Sequence, residues 1–290
     1  MLLGTSPSAS SQALGTACNN HRQLRAEMRR GIARGEFSVV YQPRIDLPTG
    51  AVLGCEALLR WPGRRRGALA PSAFIPAAEG SELISELGAW LLKHACTEAQ
   101  LWAGRQVSVN VWSRQLASGA LPSQVAEALE CSGLQPDRLE LEFSESVLIE
   151  CGTETLLTLS ALRDLGLGLA LADFGTGWAS IGMLKRLPLT TLKLARSMVC
   201  ELPGNHEDAA IVRAMIGAGR ALGLTVVADG IETELQRAYL ANIGCDGGQG
   251  CLFGRPLSPE LVWPLVAYRD DTCSARRSTP ETPHGPAAPH

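Results

Sequence analysis

Six polar residues stand at the carboxyl ends of segments whose composition predicts β-strands. They are Glu56, Asn110, Glu142, Asp173, Lys193 and Asp229. Carboxylate and amide groups are hard oxygen donors, and metal-assisted hydrolysis depends on such donors. The chemistry open to these residues therefore depends on whether the fold gathers them into one pocket.

Strand-like and helical segments alternate along the chain, and this alternation predicts how the polar residues are gathered. The strand-like runs are residues 37–41, 51–55, 107–111, 139–143, 169–171, 190–194 and 224–227. Helical periodicity is clearest over residues 74–102, 209–222 and 234–242. The pattern predicts an α/β fold, with a parallel sheet closed into a (β/α)8 TIM-like barrel. The carboxyl ends of the strands meet at one mouth of such a barrel, where active sites form.

The composition describes one sizeable domain rather than a membrane protein or a disulfide scaffold. The 290 residues are 46% hydrophobic and 19% charged, with a formal net charge of -3. This charge gives no bulk attraction to nucleic acid or anionic lipid. Nine cysteines occur without CxxC spacing, which suits reduced thiols better than disulfides or a zinc site. Since the chain shows no signal peptide and no apolar run of about 18 residues, we expect a cytoplasmic location without membrane association.

The two ends differ in composition from the middle of the chain. Residues 1–20 are rich in Ser, Ala, Gly and Thr, which predicts a disordered segment. Residues 269–290 are rich in Pro, Thr and Ser, which predicts a disordered tail. We therefore expect one domain over residues 21–268, without an additional sensor or signalling domain.

An arginine-rich helix is predicted before the first strand. Leu24, Met28 and Ile32 recur every four residues, so they form one apolar stripe and leave the arginines facing water. A DNA- or membrane-binding surface is the alternative to a helix that simply packs on the barrel. Because no recognised DNA-binding motif accompanies the arginines, direct DNA binding is not expected.

Short motifs follow one another in a set order between about Leu24 and Leu265. They are Tyr41-Gln42-Pro43, Glu56-Ala57-Leu58-Leu59-Arg60-Trp61, Ser108-Val109-Asn110, Leu141-Glu142-Phe143-Ser144-Glu145-Ser146, Ala172-Asp173-Phe174-Gly175-Thr176-Gly177, Leu192-Lys193, Gly230-Ile231-Glu232-Thr233 and Gln249-Gly250-Cys251-Leu252-Phe253. Each motif alone is a weak signal, but the ordered series resembles the EAL family, the bacterial cyclic di-GMP phosphodiesterases. The resemblance covers most of the chain and implies an EAL-type (β/α)8 barrel.

One departure from the family pattern concerns the metal ions. The resemblance implies Glu56, Asn110 and Glu142 as ligands of a first Mg²⁺ or Mn²⁺, and Asp173 and Asp229 as ligands of a second. The family's bridging aspartate, which contacts both ions, is Ala172 here. Two dications about 4 Å apart repel by roughly 17 kcal/mol at an effective dielectric constant of 20, so a bridging carboxylate matters. We expect the metal pair not to form, and at most one ion to bind weakly; compensation by water or a neighbouring carboxylate is the alternative.

The other site residues are mostly kept. Asp229 stands where the family has a glutamate, so it keeps the charge on a side chain one methylene shorter. If the protein is active, the resemblance implies Glu56, Lys193 and Asp229 as catalytic residues. The alternative for Lys193 is a structural role, in which it lies inside the barrel and pairs with carboxylates. Glu145 is implied to brace the loop after Asp173. The implied nucleotide-binding residues are Gln42, Arg60, Gln249 and Arg255.

These observations favour a degenerate, stand-alone EAL-domain protein in cyclic di-GMP signalling. We expect little or no hydrolysis, and a role as a regulator, in the direction of repression, of gene expression or virulence. Such a protein would act by binding cyclic di-GMP or a regulatory protein partner, and it could form a homodimer. The alternative is an active, metal-dependent phosphodiesterase that converts cyclic di-GMP to pGpG.

Overall fold

A computed structural model describes residues 9–63, 67–69, 71–145, 147, 152–177 and 181–267. Its strands are β1 Ser38–Asp46, β2 Val52–Gly63, β3 Gly67–Leu69, β4 Gln106–Val111, β5 Leu139–Ser144, β6 Gly168–Phe174, β7 Thr191–Leu194, β8 Thr225–Ala228 and β9 Gly247–Gln249. The α-helices are α1 Ala9–Ala33, α2 Pro71–Glu79, α3 Leu83–Gln100, α4 Ser113–Ala117, α5 Leu121–Ser132, α6 Thr153–Asp164, α7 Ile181–Leu184, α8 Arg196–Val199, α9 His206–Ala221, α10 Glu234–Asn242 and α11 Pro259–Val266.

The strands close into a barrel, which confirms the predicted (β/α)8 architecture. The sheet runs in the order β1-β9-β8-β7-β6-β5-β4-β2-β3, and an additional β1–β2 pairing joins its ends. β3 pairs only with the outer part of β2, so eight strands form the barrel wall. Buried aliphatic side chains on the outer side of the strands pack against the helices, as in α/β barrels generally.

The barrel departs from an all-parallel sheet at its first strand. β1 is antiparallel to both β2 and β9, whereas the pairs from β2 through β4 to β9 are parallel. The prediction of a wholly parallel sheet is therefore wrong at β1. The physical reason is that only residues 47–51 separate β1 from β2. A parallel pair needs a crossover of a dozen or more residues, whereas a short turn joins antiparallel strands.

Two helix boundaries also differ from the sequence prediction. α1 begins at Ala9, earlier than the domain start predicted at residue 21, and the disorder predicted for residues 1–20 stays a prediction. Residues 9–20 extend the part of α1 that is held on the barrel by buried Met28 and half-buried Leu24 and Ile32, as the apolar stripe predicts. The helical pattern over residues 74–102 is divided into α2 and α3 at Gly80, because glycine favours a break. The predicted tail, residues 269–290, lies outside the described residues.

Free cysteines lie both in the core and on the surface of the described part of the chain. Cys55, Cys96 and Cys245 are buried free thiols, while Cys131, Cys200 and Cys251 are free and exposed.

Within the part of the chain that the structure describes, no helix is long and apolar enough to cross a membrane.

Candidate functional site

Strand register brings the predicted polar residues together inside one end of the barrel. Gln42 of β1 lies opposite Glu56 of β2, and Asn110 of β4 lies beside Glu142 of β5. Side chains alternate between the two faces of a strand, so residues at the same level of neighbouring strands enter the lumen side by side. Lys193 enters from β7 on the far side of the barrel.

Lys193 links the carboxylates of this cluster. Its buried Nζ donates hydrogen bonds to Glu56 Oε2 at 2.6 Å and to Glu142 Oε2 at 2.9 Å. Asn110 Nδ2 donates to Glu56 Oε1 at 2.7 Å, and Gln249 Nε2 donates to Glu56 Oε2 at 2.8 Å. Glu56 therefore has donors on both oxygens, and one ammonium group neutralises part of the charge of two buried carboxylates.

Burial and pairing shift the pKa values of this cluster in opposite directions. Burial alone would raise the pKa of Glu56, but the charge and hydrogen bond of Lys193 outweigh it and hold that pKa below its usual value. Burial and the neighbouring charge of Glu56 raise the pKa of Glu142 to about 7. Burial acts to lower the pKa of Lys193, but Glu142 and Glu56 raise it on balance. Glu142 is thus the carboxyl group of the cluster that gains a proton first as the pH falls.

Glu142→Gln is expected to change how stability depends on pH. The folded-state pKa of Glu142, about 7, lies above the ordinary value of 4.5, so between these values the folded protein keeps a proton that the unfolded chain has released. The contribution of Glu142 to stability therefore falls as the pH rises through this window. In urea unfolding from pH 5 to pH 8, we expect the variant to gain stability relative to the wild type as the pH rises. Exposed Glu130→Gln is the control, and a pH-independent difference for Glu142→Gln would contradict the assignment.

The segment at residues 172 and 173 is shaped by a β-bulge. β6 pairs with β7 at Leu171 and again at Phe174, where the register shifts. An extra residue on one strand disrupts the alternation and redirects side chains. Ala172 is 8% exposed and lies beside Ser144 in the β5–β6 register. Asp173 is exposed and has a φ of 56°, the left-handed region that non-glycine residues seldom adopt.

Asp229 and Glu145 flank the cluster on two sides. Asp229 follows β8, and its Oδ1 accepts a hydrogen bond from the backbone N–H of Gly230 at 2.7 Å. Burial raises the pKa of Asp229, Lys193 opposes that rise, and the charges of Glu56 and Asp173 add to it. Glu145 Oε2 accepts hydrogen bonds from Thr176 N at 3.1 Å and Thr176 Oγ1 at 2.9 Å. The loop that follows Asp173 is therefore tied to the end of β5.

The residues present do not fit a metal pair. In residues 9–267, apart from the gaps given above, no three Asp, Glu, His or Cys side chains are grouped so that they could hold a metal ion. The Oε2 atoms of Glu56 and Glu142 are bound to the Lys193 ammonium group, and residue 172 offers only a methyl group. Glu142 Oε1 is buried without a hydrogen-bond partner among the described residues, so one acceptor oxygen is left open.

The predicted nucleotide-binding residues do not all join the buried cluster. Gln249 Nε2 also donates to Gln42 Oε1 at 3.1 Å, and Gln42 Nε2 donates to the Gly254 carbonyl oxygen at 3.2 Å. Arg60 lies four residues beyond Glu56 on β2, half-buried, and Nη1 donates to the neighbouring Leu59 carbonyl oxygen at 2.8 Å. Arg255 is exposed on the segment after β9. Arg60 therefore stands above the carboxylates at the mouth, whereas Arg255 lies on the surface.

A second buried polar layer was not predicted from the sequence. Arg44 Nη1 forms an ion pair with Glu140, which also accepts hydrogen bonds from Thr191 Oγ1 at 2.6 Å and Ser108 Oγ at 3.1 Å. Glu140 lies two residues before Glu142 on β5, so both enter the lumen at successive levels. The spacing of two glutamates by one residue in a strand is the signal that could have revealed this layer.

The fold and this cluster define a (β/α)8 barrel protein with a buried carboxylate–lysine site at its mouth. The EAL domain family matches residues 25–256, so the chain belongs to that family. Two curated relatives come from Pseudomonas aeruginosa: the bifunctional diguanylate cyclase/cyclic di-GMP phosphodiesterase MucR, and the cyclic di-GMP phosphodiesterase NbdA. MucR is 39% identical over 250 residues, covering 84% of this chain and 36% of MucR. NbdA is 38% identical over 262 residues, covering 88% of this chain and 34% of NbdA.

A solved structure gives the same result for the fold. The PaMucR phosphodiesterase in complex with c-di-GMP matches with a TM-score of 0.79 and 39% identity, over 83% of this chain and 99% of that one. The chain spans about a third of the length of the curated relatives, whose sequences are matched over 36% and 34%. The comparison therefore concerns only about a third of each relative.

Proposed function

We propose that this EAL domain binds cyclic di-GMP and hydrolyses it slowly or not at all. The observation that carries the proposal is the pairing of Lys193 with Glu56 and Glu142 beside a methyl group at residue 172. Without a carboxylate at residue 172, nothing at that position offsets the repulsion between two cations. The lysine instead supplies a fixed positive charge within the same group of carboxylates.

Nucleotide binding does not require the metal pair. Arg60 stands at the mouth with its guanidinium half-buried, where burial lowers its pKa and the charge of Glu56 opposes that shift. A guanidinium group presents several N–H donors in a planar fork that suits phosphate oxygens. Gln42 and Gln249 offer amide groups beside the cluster. The similarity to the PaMucR complex with c-di-GMP supports the same ligand here.

In this proposal the protein is a regulator. A domain that binds the nucleotide without consuming it can report its concentration through contacts with another macromolecule. We propose that it acts with a regulatory protein partner to reduce the expression of target genes, including virulence genes, in the cytoplasm, and that it could act as a homodimer. Direct DNA binding is not part of the proposal, since two arginines before β1 lie near carboxylates. Arg29 Nε is 4.0 Å from Glu86 Oε1, and Arg34 Nη1 is 3.8 Å from Glu36 Oε1.

Arg60→Ala is expected to weaken binding of cyclic di-GMP at least about tenfold, because a charge-assisted hydrogen bond to phosphate contributes roughly 1.5–3 kcal/mol. Calorimetric titration of the full chain with the nucleotide measures this. Arg220→Ala is the matched control, because Arg220 is exposed in the last turn of α9, which leads to the opposite end of the barrel. Equal affinities of the wild type and Arg60→Ala would contradict the placement of the phosphate, and absence of binding by the wild type would indicate an adaptor that ignores the nucleotide.

Hydrolysis is tested by incubating the protein with cyclic di-GMP and Mg²⁺ or Mn²⁺ and separating the products. The open oxygen of Glu142 and the names of the relatives favour the second candidate, an active phosphodiesterase. Steady production of pGpG that is lost in Glu56→Ala would establish that candidate. Absence of pGpG, together with nucleotide binding, is the result expected for the regulator.

A further inference from the structure

A groove of about 470 Å³ lies outside the barrel, beside the first half of β1. Its lining comes mainly from residues 37–41, from α3 and from the amino end of α11. None of the residues of the carboxylate–lysine cluster lines it. The groove is therefore separate from the proposed nucleotide site, and its volume falls within the range of sites that hold ligands.

One side of the groove is the edge of β1 that faces away from β2. Tyr41 N donates to Leu257 O at 2.7 Å, and Leu257 N donates to Tyr41 O at 2.9 Å. The N–H and C=O of alternate residues face the same edge of a strand, so those of Val39 face the side on which Leu257 lies. Pro259 begins α11 two residues after Leu257, so this segment does not continue along β1. Among the described residues, none pairs with Val39 on this edge.

α3 forms a wall of the groove along this edge. Trp90 and Glu98 both line it, and a spacing of eight residues puts them on one face of the helix. The ring centroids of Phe37 and Trp90 are 6.1 Å apart. Burial and the charge of Glu98 raise the pKa of Tyr41, so this carboxylate lies near the other end of the same stretch of β1. Val39 therefore lies between the aromatic and the acidic part of the α3 wall.

Two carboxylates of the groove lack a cation among the described residues. Glu98 is half-buried, and its pKa is raised by burial and by the charge of Glu260, at the amino end of α11. In the part of the chain that the structure describes, neither carboxylate forms an ion pair. No lysine or arginine is among the described residues that line the groove. Two carboxylates that repel each other favour an occupant with positive charge.

We propose that the groove binds an extended, basic segment of a partner protein, which adds a strand antiparallel to β1 and places a lysine or arginine opposite Val39. The inference goes beyond nucleotide binding, and it rests on the proposed function only in that a protein partner exists. Main-chain hydrogen bonds to an open edge give such a segment affinity, and its alternate side chains give specificity. Directly opposed residues of antiparallel strands point to the same face, and Val39 shares the outer face of β1 with Tyr41. The basic side chain is therefore directed to the α3 wall, towards Glu98.

The register predicts a second feature of the partner segment. In an antiparallel pair, the residue two positions after the basic one lies opposite Phe37, which is buried beside Trp90. An apolar side chain is therefore expected there. Leu257 already occupies the edge at Tyr41, so the basic residue lies at the start of the added strand. The expected pattern is a basic residue, any residue and then an apolar residue.

A synthetic peptide with a neutral fluorophore tests the charge preference of the full chain without nucleotide. Its sequence is Gly-Arg-Thr-Val-Thr-Gly, and the matched peptide has glutamate in place of arginine. In fluorescence anisotropy, the wild type is expected to bind the arginine peptide at least roughly fivefold more tightly. Glu98→Lys/Glu260→Lys is expected to prefer the glutamate peptide. The control Glu127→Lys/Glu130→Lys makes the same charge change at exposed positions of α5 and is expected to keep the wild-type preference.

Equal affinities of the wild type for the two peptides, or binding of neither, would overturn the proposal. Because no nucleotide is present, that outcome leaves the binding of cyclic di-GMP, and with it the proposed function, to be decided by its own titration.

Methylation of peptide nitrogen atoms tests the added strand itself. N-methylation of the arginine removes the N–H that donates to Val39 O, and it is expected to weaken binding at least about fivefold. N-methylation of the threonine that follows is the matched control, because its N–H faces away from β1. Equal effects of the two methylations, or arginine amide bound as tightly as the peptide, would replace the added strand by a site for a small cation. A wild-type dimer that the peptide dissociates would show instead that the groove belongs to a second copy of this chain.

Discussion

Ala172→Asp is expected to increase the rate of cyclic di-GMP hydrolysis in Mg²⁺ or Mn²⁺ by at least roughly 100-fold. One added carboxylate charge at about 4 Å from a cation contributes roughly 4 kcal/mol at an effective dielectric constant of 20. Each 1.36 kcal/mol of transition-state stabilisation corresponds to a factor of ten in rate. The new carboxylate would stand beside Ser144 at the bulge of β6, close to where Asp173 is already presented. Product separation and quantification of pGpG provide the measurement.

The matched control for this variant is Ala172→Asn, which has nearly the same shape but no negative charge. We expect the asparagine variant to remain as slow as the wild type, because an amide does little to offset the repulsion between two cations. Adding Asp229→Glu to Ala172→Asp restores the second family carboxylate at full length and is expected to raise the rate further. An unchanged rate in all three variants, with cyclic di-GMP still bound, would show that residue 172 does not limit hydrolysis.

Lys193→Met is expected to lower the free energy of unfolding by about 3–5 kcal/mol at pH 8, because it leaves buried carboxylates without their cation. Nζ of Lys193 lies 2.6 Å from Glu56 and 2.9 Å from Glu142, and all three side chains are buried. Methionine fills nearly the same volume, so the loss reports on charge more than on packing. Urea unfolding followed by circular dichroism measures the difference.

Two comparisons separate this charge effect from other causes. Lys93→Met changes an exposed lysine of α3 and is expected to alter stability by less than about 0.5 kcal/mol. Glu142→Gln combined with Lys193→Met is expected to recover part of the loss, since it removes one of the unpaired charges. A loss below about 1 kcal/mol in Lys193→Met would mean that the carboxylates are neutral or hydrated without the lysine, and would remove the ionic basis of the proposed function.

The expected effects of Ala172→Asp and Lys193→Met both depend on the balance of charge among the buried carboxylates. Lys193 supplies one positive charge, whereas a metal pair would supply four. Burial and the charge of Glu56 therefore outweigh Lys193 and raise the pKa of Glu142 to about 7. A carboxylate at residue 172 would add negative charge to a group that already lacks cations. Ala172→Asp is therefore expected to bind metal ions more tightly than the wild type while being less stable in their absence.

The sequence by itself determined the barrel and the identity of most site residues. Regular alternation of strand and helix patterns leaves few arrangements, because every amphipathic helix must cover one face of a closed sheet. Glu142 and Lys193 stand at strand ends in the sequence, and such ends meet at one mouth in any α/β barrel. The identity of residue 172 needs no structure, since alanine has no donor atom in its side chain. The family resemblance anticipated the same outcome from the order of the motifs.

Only the tertiary structure decided the direction of β1 and the partners of Lys193. The lysine and Glu56 are 137 residues apart, and no local pattern encodes a hydrogen bond between them. The layer formed by Arg44 and Glu140 likewise depends on the register between strands that are distant in sequence. Local propensities depend on neighbouring residues along the chain, whereas ion pairs, buried charge and unpaired strand edges depend on which distant segments the closed barrel places side by side.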